Sequence, residues 1–208
     1  MQETERPVIA KLRALCLYLI ACEYSNCQWG LGVLDIHCIA YFMSQYINQE
    51  LNLWLEFSPE NKEFFFSDGI DEILFVLNKE RYILDEDKDY GIIDIDCSYR
   101  KEVIQILDDY GINAIEMVNN IVDAIMNWPL YFIASVHYAY YTKGCEDVDS
   151  IVNELQSWCY KDEPTIIYRE NIEKALADVF KYHKHWIKPY KWDKIWQELG
   201  LSKPQLNG

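Results

Sequence analysis

Apolar residues recur at spacings of three and four over residues 8–22, at Ile9, Leu12, Leu15, Cys16, Leu19 and Ile20. That period predicts a helix, with Lys11 and Arg13 on its other side. Pro7 suits its first turn, where a missing N–H costs nothing. The stretch SNCQWGLG then breaks the pattern with two glycines. A second helix is predicted over 33–46, carrying Leu34, His37, Cys38, Tyr41 and Phe42. The following LNLWLEF reads either as a strand or as continued helix, and Ser58-Pro59 ends it. From Gly69 the stripe Ile70, Ile73, Leu74 and Leu77 predicts a third helix, with Asp68 as its N-cap. It leads into a short strand, a charged turn, DEDKDYG, and a return strand in which Ile93 and Ile95 alternate with Asp94 and Asp96.

After Tyr99 the pattern is helical throughout. Residues 101–109 form one predicted helix, ended by Gly111, and 112–126 form a longer one. Pro129 punctuates, and 130–141 is apolar nearly all round, which predicts burial. Gly144 stops it. Residues 148–160, 170–185 and 192–199 read as further helices, with 161–167 as the candidate hinge. Helix, strand, turn and return strand after two earlier helices is the order of a winged helix. The expected fold is mainly α with a small β-wing: a winged-helix-like domain at 1–98, a helical region packed on it at 99–160, and a C-terminal helical tail at 161–208.

Half of the 208 residues are apolar and 15% are aromatic, which supports a sizeable core rather than disorder. The formal charge of -15 repels phosphate backbones at long range and suits a basic partner or simple solubility. Seven cysteines include no CxxC pair, and most sit among apolar neighbours, so reduced thiols and a cytoplasmic location are expected. MQETERP has neither the basic nor the apolar region of a signal peptide, and no apolar run is long enough to span a bilayer, so no membrane association is expected.

Catalytic signatures are sparse. There is no Walker A motif, HExxH or GxSxG, and Trp29-Gly30-Leu31-Gly32 lacks the rest of a dinucleotide fingerprint. Asp94 and Asp96 form a DxD that could hold a divalent cation, but the Glu60-Asn61-Lys62 triplet that a nuclease would need lies in a turn-like stretch. The simpler reading has both aspartates facing solvent on the wing. His183 and His185 point in different directions on a helix, and His37 and His137 read as satisfied core or interface residues. No catalytic, cofactor-binding or metal-ligating residue is therefore assigned. The one basic island is KYHKHWIKPYKWDKIW, with five lysines and one acid from Lys181 to Lys194. Its Lys184, Trp186, Lys188, Tyr190, Lys191 and Trp192 are the candidate partner-binding residues. A protein partner or docking on the chain's own acidic body ranks above nucleic acid there.

The stretch RPVIAKLRAL, the second helix opening with Leu34-Asp35, the helix from Gly69-Ile70 running into a wing, and the helical stretch from Tyr99 carry a resemblance. Over residues 5–128 the chain resembles the middle component of ABC three-component systems, which includes the small accessory subunit of Lamassu-type SMC defence complexes. It departs from that pattern at DIHCIAYF, which lacks the family's tyrosine and the following His-Ser-Gly-Asp-like turn. The resemblance implies a non-catalytic, kite-like winged-helix subunit, without cofactor, that bridges an SMC-like coiled-coil ATPase and an effector nuclease in anti-phage or anti-plasmid defence. DNA contact would be indirect or weak, and self-association stays open. Arg6 and Arg13 would orient the first helix against acidic neighbours. The alternative is a winged-helix DNA-binding transcriptional regulator. Against it, GIDEILFVLNKER sets Asp71, Glu72 and Glu80 against Lys79 and Arg81.

Overall fold

The computed structural model describes residues 6–25, 31–46, 57, 67, 69–87, 92–158 and 168–186. In chain order these form α1 (Arg6–Ser25), β1 (Leu31–Gly32), α2 (Val33–Tyr46), α3 (Gly69–Lys79), β2 (Ile83–Asp87), β3 (Ile92–Ile95), a 3-10 turn (Cys97–Tyr99), α4 (Arg100–Asp109), α5 (Ala114–Ile125), α6 (Leu130–Tyr141), α7 (Val148–Ser157) and α8 (Arg169–Trp186). The fold is mainly helical with one small antiparallel sheet.

Helix α1 is central. Apart from Lys11, every residue from Ile9 to Cys22 is buried, because α2, α3, α4, α5 and β3 all pack around it. The expectation that Arg13 shares an outer face with Lys11 is therefore corrected. Lys11 is half-exposed and lies 3.8 Å from Glu80, whereas Arg13 is only 2% exposed. A charge pattern on one helix cannot reveal that a third neighbour covers its polar side.

The sheet order is β1-β3-β2, with both neighbouring pairs antiparallel. Leu31 lies opposite Ile93, and Ile83 opposite Ile95. Ile93 and Ile95 face the core while Asp94 is exposed, as the alternation requires. Strand β1 was not expected: SNCQWGLG reads as a break, and two residues are too few to show a period of two. Helix α2 follows at once, with the Gly32 N–H donating to Asp35 Oδ2 at 3.0 Å.

Helices α3 and α4 leave by the same device. Tyr82 N–H donates to Leu77 O at 2.9 Å and Arg81 N–H to Asn78 O at 3.0 Å. Likewise Ile112 N–H donates to Leu107 O at 2.9 Å and Gly111 N–H to Asp108 O at 2.8 Å. Both are Schellman motifs, which need a left-handed residue just past the helix. Gly111 supplies it at φ 79°, but at the end of α3 the residue is Arg81, at φ 63°.

Helix α5 is capped by Asn113, whose side chain accepts from Glu116 N–H at 3.2 Å. Helix α7 starts in a capping box between Asp147 and Ser150. Helix α6 is the second centre, buried from Phe132 to Ala139 between α2, α7 and α8. Helix α8 inserts Ile172, Ala175 and Leu176 against α5, α6 and α7. Trp128 Nε1 fastens it by donating to Asp178 Oδ2 at 2.8 Å.

Candidate functional site

Helix α3 places two different faces. Ile70, Ile73 and Leu77 pack inward on α1, as their spacing predicts, while Leu74 is only partly buried. The opposite face carries Asp71, Phe75, Asn78 and Lys79, all exposed, at spacings of four, three and one. Phe75 is 67% exposed, the most open large apolar residue among those described. A phenyl ring in water forgoes roughly 1.5–3 kcal/mol of burial, which makes it informative as a contact residue.

Charge around this face does not favour an anion. Asp71 is exposed and Glu72 half-buried. Glu80 is paired with Lys11, and Lys79 and Arg81 are exposed. Behind the face lies Arg13. Burial lowers its pKa to about 10, and the nearby Glu72 carboxylate opposes that fall. Its guanidinium stays charged at neutral pH, but it points into the core rather than at a ligand.

The two wing aspartates part company. Asp94 is exposed on β3. Asp96 caps the 3-10 turn, accepting from Ser98 N–H at 2.9 Å. That hydrogen bonding holds its carboxyl below the usual aspartate range. Among the described residues no group of three His, Cys, Asp or Glu could hold a metal ion.

His37 and His137 are core residues. His137 Nδ1 and Tyr41 Oη lie 2.6 Å apart in a fully buried pair. His37 Nδ1 accepts from Ser67 N–H at 3.4 Å, and burial lowers its pKa. Five described cysteines stand outside any disulfide: Cys16, Cys22 and Cys38 are buried, Cys97 and Cys145 half-buried.

Of the candidate partner-binding residues, Lys184 and Trp186 fall in the last turn of α8. Lys188, Tyr190, Lys191 and Trp192 lie outside the described residues. So do Asp68, the Glu60-Asn61-Lys62 triplet, Gly91, the candidate hinge at 161–167, the helix expected at 192–199 and, except for Phe57, LNLWLEF. Phe75 was missed by the sequence reading, although its signal is present. It is an apolar residue off the 70/73/77 stripe, on a face otherwise polar. No family model, curated protein or solved structure matches the chain. No helix among the described residues is long and apolar enough to cross a membrane.

Proposed function

We propose that this chain is a non-catalytic accessory subunit that binds protein partners through a winged-helix module. The element order α1–β1–α2–α3–β2–β3, with sheet order β1-β3-β2, supports the winged-helix reading. In that reading α3 is the recognition helix. The observation that carries a protein partner rather than DNA is its outer face, where exposed Phe75 lies among Asp71, Asn78 and Lys79 instead of a row of cations. A phosphate backbone would meet an apolar ring and the Asp71 carboxylate there, with Lys79 as the one cation on that face. A protein surface with an apolar pocket and a basic rim would meet complementary groups.

The partners implied by the family resemblance are an SMC-like coiled-coil ATPase and an effector nuclease, within a cytoplasmic anti-phage or anti-plasmid defence complex. The segment from Lys184 to Trp192 supplies a second contact in this proposal. Five described cysteines outside any disulfide suit a reducing compartment. The DNA-binding regulator draws on the same element order but is opposed by the charges on α3.

The test is a tagged pull-down from the native host, with mass spectrometry of the co-purifying proteins. The expected result is a large coiled-coil ATPase in fixed ratio. Recovery is expected to drop at least tenfold in Phe75→Asp, a loss of about 1.4 kcal/mol or more of binding, with the melting temperature unchanged. Trp186→Ala with Trp192→Ala is expected to weaken assembly in the same way. Salt-sensitive recovery of DNA without protein would overturn the proposal in favour of the regulator.

A further inference from the structure

The junction between α1 and the end of β3 brings two thiols together. Tyr18 Oη donates to the Asp96 carbonyl at 2.6 Å. Arg100 reaches the Glu23 carboxylate at 3.2 Å. Cys22 sits one helical turn beyond Tyr18 and next to Glu23. Cys97 sits between Asp96 and Arg100. The two clamps therefore close on either side of the pair, and the Cys22 and Cys97 side chains are in hydrogen-bond contact. Their access to solvent differs. Cys22 is fully buried, whereas Cys97 is half-buried, with its sulfur 3.7 Å from the Ile95 carbonyl.

We infer that Cys97 and Cys22 form a peroxide-driven thiol switch, with Cys97 as the reacting sulfur and Cys22 as the resolving one. In the first step the Cys97 thiolate attacks one oxygen of hydrogen peroxide. The O–O bond breaks, leaving Cys97 as a sulfenic acid and releasing the other oxygen as water. In the second step the Cys22 sulfur attacks the Cys97 sulfur. An S–S bond forms, the S–O bond breaks, and the hydroxyl leaves as water with the Cys22 proton. Two thiols are oxidised to one disulfide while one peroxide is reduced to two waters.

The division of roles follows from burial. Burial and the contact with Cys97 both raise the Cys22 pKa, so Cys22 is the poorer first nucleophile. The Arg100 guanidinium works against that rise. The second step is consequently the slow one, and the sulfenic acid on Cys97 precedes the disulfide. The bond would close a loop that contains β1, α2, α3, β2 and β3. Oxidation would thus tie the whole sheet unit to α1 and restrict its unfolding. None of this depends on which partner the chain binds.

The experiment uses the full chain, reduced, desalted and exposed to hydrogen peroxide. The expected product is lighter by two hydrogens, about 2 Da. A non-reducing peptide map should link Cys22 to Cys97, and dithiothreitol should reverse it. Dimedone added early should label Cys97 and not Cys22, before the link appears. Cys22→Ala should block the link and leave a persistent dimedone adduct on Cys97, and Cys97→Ser should abolish both. Conversion of Cys97 to sulfinic acid in the wild type without a Cys22–Cys97 peptide would overturn the inference. Reaction at other cysteines while Cys97 stays a thiol would do the same. The dimedone time course on the wild type decides the matter even if Cys22→Ala does not fold.

Discussion

Helices α1 and α6 are both buried nearly all round, yet they are held in different ways. Helix α1 meets its surroundings through directional contacts. Arg13 lies near Glu72, Tyr18 donates to a carbonyl 78 residues further on, and Glu23 pairs with Arg100. Helix α6 meets its surroundings mainly through rings. His137 packs against Tyr41 and Phe42 of α2, with centroids 5.5 and 5.8 Å away, and against Tyr141 of its own helix at 4.4 Å. Tyr138 meets Trp158 at 5.8 Å, and Phe132 meets Trp128 at 5.5 Å. The Tyr41–His137 pair adds a short side-chain hydrogen bond between α2 and α6. Directional contacts fix the register of α1 against the sheet, whereas volume and ring geometry fix α6.

The contrast predicts that deleting volume hurts most around α6. Phe132→Ala removes a fully buried ring. It is expected to cost about 3–5 kcal/mol, read as a fall in the urea midpoint at unchanged m. A loss below about 1 kcal/mol would mean that α6 can collapse onto the space, and the comparison would fail.

Deleting one oxygen should instead hurt around α1. Tyr18→Phe keeps the ring packed at a tilt against Tyr82, 4.8 Å away, but removes the hydroxyl that donates to the Asp96 carbonyl. The expected cost is about 1–3 kcal/mol. Hydrogen exchange should quicken selectively in β3 and in the 3-10 turn after it. Uniform loosening across the molecule would show that the hydroxyl adds stability without fixing register.

Acid should act through the side where His37 meets Ser67. Burial lowers the pKa of His37 in the fold, while Asp71 pulls it the other way. A proton at Nδ1 would face the Ser67 N–H that this nitrogen now accepts. The unfolded chain takes up that proton first, near pH 6.5. Stability from the neutral ring is therefore complete above that pH and declines as pH falls toward the lower folded value. Urea midpoints at pH 7.5 and 5.5 should differ less in His37→Gln than in the wild type. Equal differences would remove His37 as the sensor. Arg13, with a pKa of about 10, stays charged across this range.

Much of this was legible from spacing alone. The bounds expected for α2 and α6 are those observed, 33–46 and 130–141, because each is a long apolar run with a clear stop. What escaped depends on neighbours distant in sequence. Strand β1 exists only because β3 returns to pair with it. Arg13 is buried only because α3 and its companions cover the polar side of α1. The closeness of Cys22 to Cys97 follows from the same return of the chain. At the candidate site, the identity of α3 was readable from its stripe. The exposure of Phe75 required knowing that no described element covers that face.

The smallest predicted effect lies at the helix ends, where the two sides differ again. On the α6 side the chain turns at Gly144, φ 72°, a left-handed position that glycine adopts without strain. On the α1 side it turns out of α3 at Arg81, φ 63°, where a side chain crowds the neighbouring carbonyl. Arg81 is exposed, so little packing is lost on replacing it. Relief of that crowding, about 1–2 kcal/mol, is partly offset by the greater freedom of glycine in the unfolded chain, about 0.5–1 kcal/mol. Arg81→Gly is thus expected to stabilise the protein by about 0.5 kcal/mol. Gly144→Ala should destabilise it by about 1 kcal/mol, although nothing lies within 4 Å of the added methyl, because the cost is backbone conformation and not space. Opposite signs for the two substitutions in thermal melts would confirm that backbone strain is carried on the α1 side. A loss of stability in Arg81→Gly would show that the guanidinium holds the exit from α3 by a contact worth more than the strain it causes.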